Sequence, residues 1–445
     1  MSGNPFLRAT GIVLMTAAAL ALAGCGGGSK KSKERLKGER IAVLTFEGRV
    51  QPDPRAEAIP VVLPEPFANR DWPQGGGYPG HAMHHLALGD APKRIWRTDI
   101  GKGSSGRKQL TDAPVVVDGT VYVIDSNSVV SAVNGDTGKI LWKREIRQPK
   151  QNDAVSFGGG VSYGDGKLFA TTGYGIVAAL DPQSGQELWR RNLGVPLRGA
   201  PAVADGRVFI NTYDNQLYAL STGTGEELWS YAGIIESAGL LGASTPAVAG
   251  GTVIAGFSSG ELFALTVENG RVTWSDTLTR TGRLTPLATL SDIDGAPVVD
   301  RGTVFAISHG GRMAAIDLRS GERLWERNVG GVHAPWVAGD FIFVASADNE
   351  LVALHRREGL VRWVTPLQRF KDQEDRKGRI YWAGPVLAGD RLIVTSSHGY
   401  ALSVSPYTGE VISVLELSDK AYLPPVVANG TLYLLTDDGQ LTAYR

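Results

Sequence analysis

Few residue groups in this 445-residue chain have the types and spacing to do chemistry. Gly256-Phe257-Ser258-Ser259-Gly260 matches the G-x-S-x-G string, whose serine is a nucleophile only on a strand-to-helix elbow. Here it separates two apolar runs of strand character, so a turn between strands is expected. His81, His84 and His85 are close enough in sequence to bind a metal. No cysteine or carboxylate cluster stands beside them, and a solvent-exposed loop is expected. Asp292-Ile293-Asp294-Gly295 begins like a calcium loop but lacks the third ligand and the later glutamate. There is no Walker-type phosphate loop. Cys25 is the single cysteine, which excludes an internal disulfide. Lys+Arg and Asp+Glu both total 45, so no basic field exists to neutralise nucleic-acid phosphates.

Cys25 has an evident use. An alanine-rich apolar run from Ala9 to about Ala23 follows Arg8, and Leu22-Ala23-Gly24-Cys25 ends it. The run is short for a membrane span and has the layout of a signal peptide. The tetrapeptide resembles the lipobox of bacterial lipoproteins, which implies cleavage before Cys25 and acyl chains upon it. Two or more chains on one residue anchor stably. Gly26 follows, which suggests sorting to the outer membrane. Residues 1–24 are therefore expected to be a lipoprotein signal peptide. Residues 25–90 are expected to be a tether and N-terminal extended segment, Gly/Ser/Lys-rich at first and then proline-rich.

A repeat organises the remainder. Glycine six and tryptophan ten positions after alanine recur at Ala132/Gly138/Trp142, Ala179/Gly185/Trp189, Ala219/Gly225/Trp229, Ala264/Gly270/Trp274, Ala315/Gly321/Trp325 and Ala353/Gly359/Trp363. A seventh copy has Ser403, Gly409 and Ser413, and an eighth begins at Ala443. Upstream of each lies an Ala/Gly-Pro-Val-like element, a turn such as Asp118-Gly119, Asp205-Gly206 or Asn429-Gly430, and alternating apolar strands. Such pairs favour type I′ hairpins, which need φ > 0 at both central residues. Four short strands per copy and 38 to 51 residues between successive tryptophans are the dimensions of propeller blades. The tryptophans read as structural plates at blade seams.

The last copy has three strands, Val426–Ala428, Leu432–Leu435 and Gln440–Tyr444, and no fourth. An orphan strand, Lys93-Arg94-Ile95-Trp96-Arg97, precedes the first copy and carries a tryptophan. The expectation is an all-β protein over residues 91–445: an eight-bladed β-propeller of four-stranded antiparallel blades, closed by pairing the N-terminal strand with the C-terminal blade.

The repeat resembles the quinoprotein repeat, A-x-D-x-x-T-G-x-x-x-W. Pyrroloquinoline quinone dehydrogenases share it and use calcium and a buried quinone, so such an enzyme is one alternative, and a scaffold of another envelope complex is a second. Those enzymes commonly carry adjacent cysteines, absent here. Lipobox, tether and eight-bladed propeller together resemble the BamB family, lipoproteins of the outer-membrane β-barrel assembly machine. The resemblance covers the chain from about Asp71. It is strongest over Leu290-Ser291-Asp292-Ile293-Asp294-Gly295-Ala296-Pro297-Val298-Val299 and Ala315-Ile316-Asp317-Leu318-Arg319-Ser320-Gly321-Glu322. It implies a non-enzymatic scaffold without cofactor, lipid-anchored at the outer membrane and facing the periplasm. Its implied partners are the POTRA domains of a BamA-like insertase, other assembly-machine lipoproteins and unfolded outer-membrane proteins. The implied docking residues are Asp292 and Asp294, with Leu240 and Leu241 in a Leu-containing stretch. Better-known members have arginine where Leu241 stands. Both stretches precede the first strand of a copy, so both are expected in loops between blades. An apolar pair in such a loop marks either a contact surface or inward-folded core.

Overall fold

The computed structural model describes residues 50–147, 156–197, 199–235, 244–279 and 292–445. The chain divides into two units, residues 1–48 and 49–445, and all described residues lie in the second. Cys25, Leu240 and Leu241 lie outside the described residues.

Val115–Val117, Thr120–Ile124, Val129–Asn134 and Ile140–Glu145 form one antiparallel four-stranded sheet, here blade 1. Blades 2 to 7 repeat that order, starting at Val161, Ala202, Ala247, Val298, Trp336 and Trp382. Blade 8 is completed as the sequence predicts. Gln440–Tyr444 pairs antiparallel with Arg94–Asp99, aligning Trp96 with Ala443. Two-residue turns such as Asp118-Gly119 (φ 48° and 74°) and Asn429-Gly430 (φ 49° and 63°) join first and second strands with the dihedral signs the dipeptides prescribe. Gly256–Gly260 is a turn between two strands of blade 4, not an elbow before a helix.

The Ala/Gly/Trp spacing has a physical cause on both sides of each seam. Within a blade, Ala132 sits opposite Trp142, and a register shift follows immediately. The same pairing and shift recur at Ala179/Trp189, Ala219/Trp229, Ala264/Trp274, Ala315/Trp325 and Ala353/Trp363. Between blades, the tryptophan covers the glycine of the following blade. Its indole N–H donates to a carbonyl beside that glycine: Trp142 to Pro182 (3.0 Å), Trp274 to Leu318 (2.8 Å), Trp363 to Pro406 (3.0 Å). A large apolar plate is thereby covered, wholly at Trp274, Trp325 and Trp363 and partly at Trp142, Trp189 and Trp229, with its one donor satisfied. Blade 7 carries Ser413 where tryptophan is expected. Blade 8 offers it no turn between third and fourth strands, because its fourth strand comes from the other end of the chain.

Candidate functional site

Asp292-Ile293-Asp294-Gly295 connects the outer strand of blade 4 (Val272–Thr277) to the inner strand of blade 5 (Val298–Asp300). The connection is pinned by packing and backbone hydrogen bonds. Ile293 is 2% exposed, and its Cγ2 would stand 2.4 Å from a Cβ on Gly256. The Ile293 N–H donates to the Phe257 carbonyl at 3.2 Å, and the His309 N–H donates to the Asp292 carbonyl at 2.8 Å. Asp292 is 2% exposed, whereas Asp294 is only partly buried. Of the two side chains, Asp294 is the more accessible.

The connection between blades 3 and 4 resumes at Ser244. The Ser244 hydroxyl donates to the Gly295 carbonyl at 3.5 Å, and Asn211 Nδ2 donates to the Ser244 carbonyl at 2.7 Å. The described end of the Leu-containing stretch thus adjoins the Asp292–Gly295 loop. On its other side, Ile234 and Ile235 are 59% and 72% exposed. Two adjacent exposed isoleucines are an apolar patch in the same connection. Sequence reading passed over them because they follow a strand without a break; the Gly233 that precedes them was the available signal.

The three histidines are not in an exposed loop. His81 is 4% exposed and His85 1%, and both belong to a segment that lines the propeller's central channel. Residues 69–86 run around the inside of the ring in blade order. Asn69 Nδ2 donates to Val427 of blade 8 (2.7 Å), and Trp72 exchanges both backbone hydrogen bonds with Val116 of blade 1 (2.7 and 2.8 Å). The Pro73 carbonyl accepts from Tyr163 of blade 2 (2.7 Å), and the Gln74 amide grips Val203 N–H and C=O of blade 3 (2.9 and 2.7 Å). The Pro79 and Gly80 carbonyls accept from Val248 and Val299 of blades 4 and 5 (2.7 and 2.8 Å). The His84 carbonyl accepts from the Trp336 indole of blade 6 (2.7 Å), and the Leu86 N–H donates to Leu387 of blade 7 (3.2 Å). Except in blade 6, the blade residue stands two positions before the inner turn. A propeller leaves these inner-strand edges unpaired, and this hoop satisfies them.

Electrostatics reinforce the hoop. His84 Nε2 lies 3.4 Å from Asp300 Oδ1, and Arg356 donates to the other oxygen. Burial works to raise the Asp300 carboxyl, but hydrogen bonds from His84 and Arg356 outweigh it and hold the group at about 2. Burial holds the His81 imidazole down to about 4 while its Nδ1 bonds the Pro297 carbonyl at 2.7 Å. His85 Nε2 accepts the Asp390 N–H (3.0 Å), so its Nδ1–H donates to the Pro64 carbonyl (2.8 Å). No group of three or more potential metal ligands occurs among the described residues. The channel is the enclosed space around which blades are arranged, and a buried quinone would have to occupy it. Here the Trp72 indole of the hoop reaches Trp336 of blade 6 and stacks on it at 6.1 Å.

Comparison with known proteins gives a consistent picture. The family model described as outer membrane protein assembly factor BamB matches residues 89–156 and 126–365. The BamB proteins of Salmonella typhimurium and Xanthomonas campestris are 31% and 30% identical. Each alignment covers 79% of this chain, and 88% and 85% of those proteins respectively. The crystal structure of BamB from Moraxella catarrhalis superposes with a TM-score of 0.68 at 21% identity, covering 80% of this chain and all of that one. A quinohemoprotein alcohol dehydrogenase from Comamonas testosteroni shares the fold at a TM-score of 0.62 and 14% identity, with 84% and 80% covered.

Proposed function

This chain belongs to the family of outer membrane protein assembly factors BamB, and from that premise we propose that it is a non-enzymatic scaffold of the barrel-assembly complex, docking on the insertase through the connections that flank blade 4. As a family member it acts in outer membrane protein assembly. The observation that supports this docking site is the hydrogen bond from Ser244 to Gly295, which brings the described end of the Leu-containing stretch against the Asp292–Gly295 loop. Asp294 supplies the carboxylate that a basic or N–H-rich partner would meet, and Asp292 positions it. Leu240 and Leu241, together with the exposed Ile234 and Ile235, supply the apolar part. With leucine at 241 where better-known members have arginine, that contact is less ionic. Lipidation at Cys25 would hold the protein at the outer membrane, facing the periplasm. The family's description as assembly factors supports the non-catalytic reading.

The test is photo-crosslinking from positions 241 and 294 in intact cells, followed by purification from membranes. Crosslinks to periplasmic domains of a barrel insertase are expected. Absence of that partner at both positions would defeat the docking proposal.

A further inference from the structure

The eight outer strands are the outer edges of their sheets, and seven of them carry a charged residue within their first five positions. Such charges discourage pairing with foreign strands. Blade 1 has Lys143 and Arg144, blade 2 Glu187, blade 3 Glu227, blade 4 Asp276, blade 5 Arg323, blade 6 Arg362 and blade 8 Arg94. Blade 7 differs: Val411-Ile412-Ser413-Val414-Leu415-Glu416 is uncharged until its last residue. Its Val411, Ile412 and Val414 are 49%, 54% and 61% exposed. This is also the seam without a tryptophan plate. A cleft of about 210 Å³ opens there, between Glu416 and Ser418 of blade 7 and Arg94, Arg97, Thr442 and Tyr444 of blade 8. Among the described residues neither Arg94 nor Arg97 is paired with a carboxylate, though Glu416 lines the same cleft.

We propose that the outer strand of blade 7 and the adjoining cleft bind an extended polypeptide segment of alternating apolar residues ending in a free carboxylate. The segment adds a strand to Val411–Glu416, and its carboxyl end, arriving at the Glu416 end of that strand, meets Arg94 and Arg97. Main-chain hydrogen bonds to the edge supply affinity, and the exposed valines and isoleucine supply the apolar match. The guanidiniums supply the end-group preference, since two planar cations with no carboxylate partner among the described residues complement one carboxylate. One outer edge is already capped by the protein's own chain, around the 3-10 turn Pro54–Ala56. On blade 6 the Asp53 N–H donates to the Val361 carbonyl at 2.8 Å, and Arg362 Nε donates to the Ile59 carbonyl at 3.0 Å. Blade 7 has no such cover among the described residues. The proposal rests on the assembly-factor reading, for which such a segment is a client strand.

The experiment uses the full chain and a fluorescent peptide of about ten residues, alternating Thr and Val, as free acid and as C-terminal amide. Anisotropy titrations are expected to show binding of the acid. The amide, Val414→Lys and Arg97→Glu should each weaken it about tenfold, the scale of one lost charge-assisted or edge contact. Leu228→Lys, at a 47%-exposed site on the outer strand of blade 3, should leave it unchanged. Equal binding of acid and amide, equal effects of Val414→Lys and Leu228→Lys, or no binding would overturn the proposal. Co-purification of the insertase with wild type and with Val414→Lys tests the assembly reading separately, because blade 7 is remote in sequence from the blade 4 connections.

Discussion

The Trp96 indole lies over Gly138, with its N–H donating to the Gly135 carbonyl at 2.8 Å, and this contact crosses the ring's closure from the N-terminal strand of blade 8 to blade 1. Gly138 has φ 70°, and a Cβ there would come 2.8 Å from the ring. Two independent reasons thus demand glycine: the left-handed backbone and the covering plate.

Gly119 separates them. It has φ 74° with nothing within 4 Å of a built Cβ. Gly119→Ala should cost about 1–2 kcal/mol from backbone strain alone. Gly138→Ala should cost about 2 kcal/mol more, because the plate must shift and overpacking costs of order 1–3 kcal/mol. Denaturant midpoints of the two variants decide it; equal midpoints would refute the plate's part.

The seams make an opposite pair of predictions. Trp363→Ala should destabilise by about 3–5 kcal/mol, the usual range for a buried tryptophan. Ser413→Trp should give no gain, even though it restores the repeat, because no glycine turn of blade 8 is there to receive it. A stabilised Ser413→Trp protein would contradict this reading of blade 7.

The hoop should behave as part of the core. Gln74→Ala leaves the Val203 backbone without its partner and should cost about 1–3 kcal/mol. Hydrogen exchange in residues 69–86 should quicken in that variant while the outer strands stay protected. Uniform change across all blades would mean that the hoop does not open as a unit.

Acid should weaken the native state between about pH 6.5 and 4. His81 and His333 are held down to about 4 by burial, so there the unfolded chain binds two protons that the native chain does not. Burial pushes Asp112 up to about 7, so the native chain keeps one proton that the unfolded chain has lost. Burial also raises Asp437, which opposes the histidines as Asp112 does. The two histidines against Asp112 leave the unfolded state ahead, so stability rises with pH across that window at up to about 1.4 kcal/mol per unit. Asp112→Asn removes an opposing proton and should steepen the slope. Thermal midpoints measured from pH 4 to 7 give the answer, and a falling trend with pH would reverse the sign.

Amino-acid order alone determined the blades, their number and the way the ring closes. A turn dipeptide such as Asp118-Gly119, the Ala/Gly/Trp spacing and the unmatched Trp96 strand express steric rules that act over a few residues and repeat. The Asp292–Gly295 connection was legible for the same reason, since it precedes a recognisable inner strand. What tertiary structure alone decided was the fate of residues 69–86 and the burial of Asp292. The hoop has no period, because each of its residues answers a different blade, and several of its bonds use backbone groups that any residue carries. Asn69, Gln74 and the three histidines gain their partners only when eight distant inner strands have been brought into one circle.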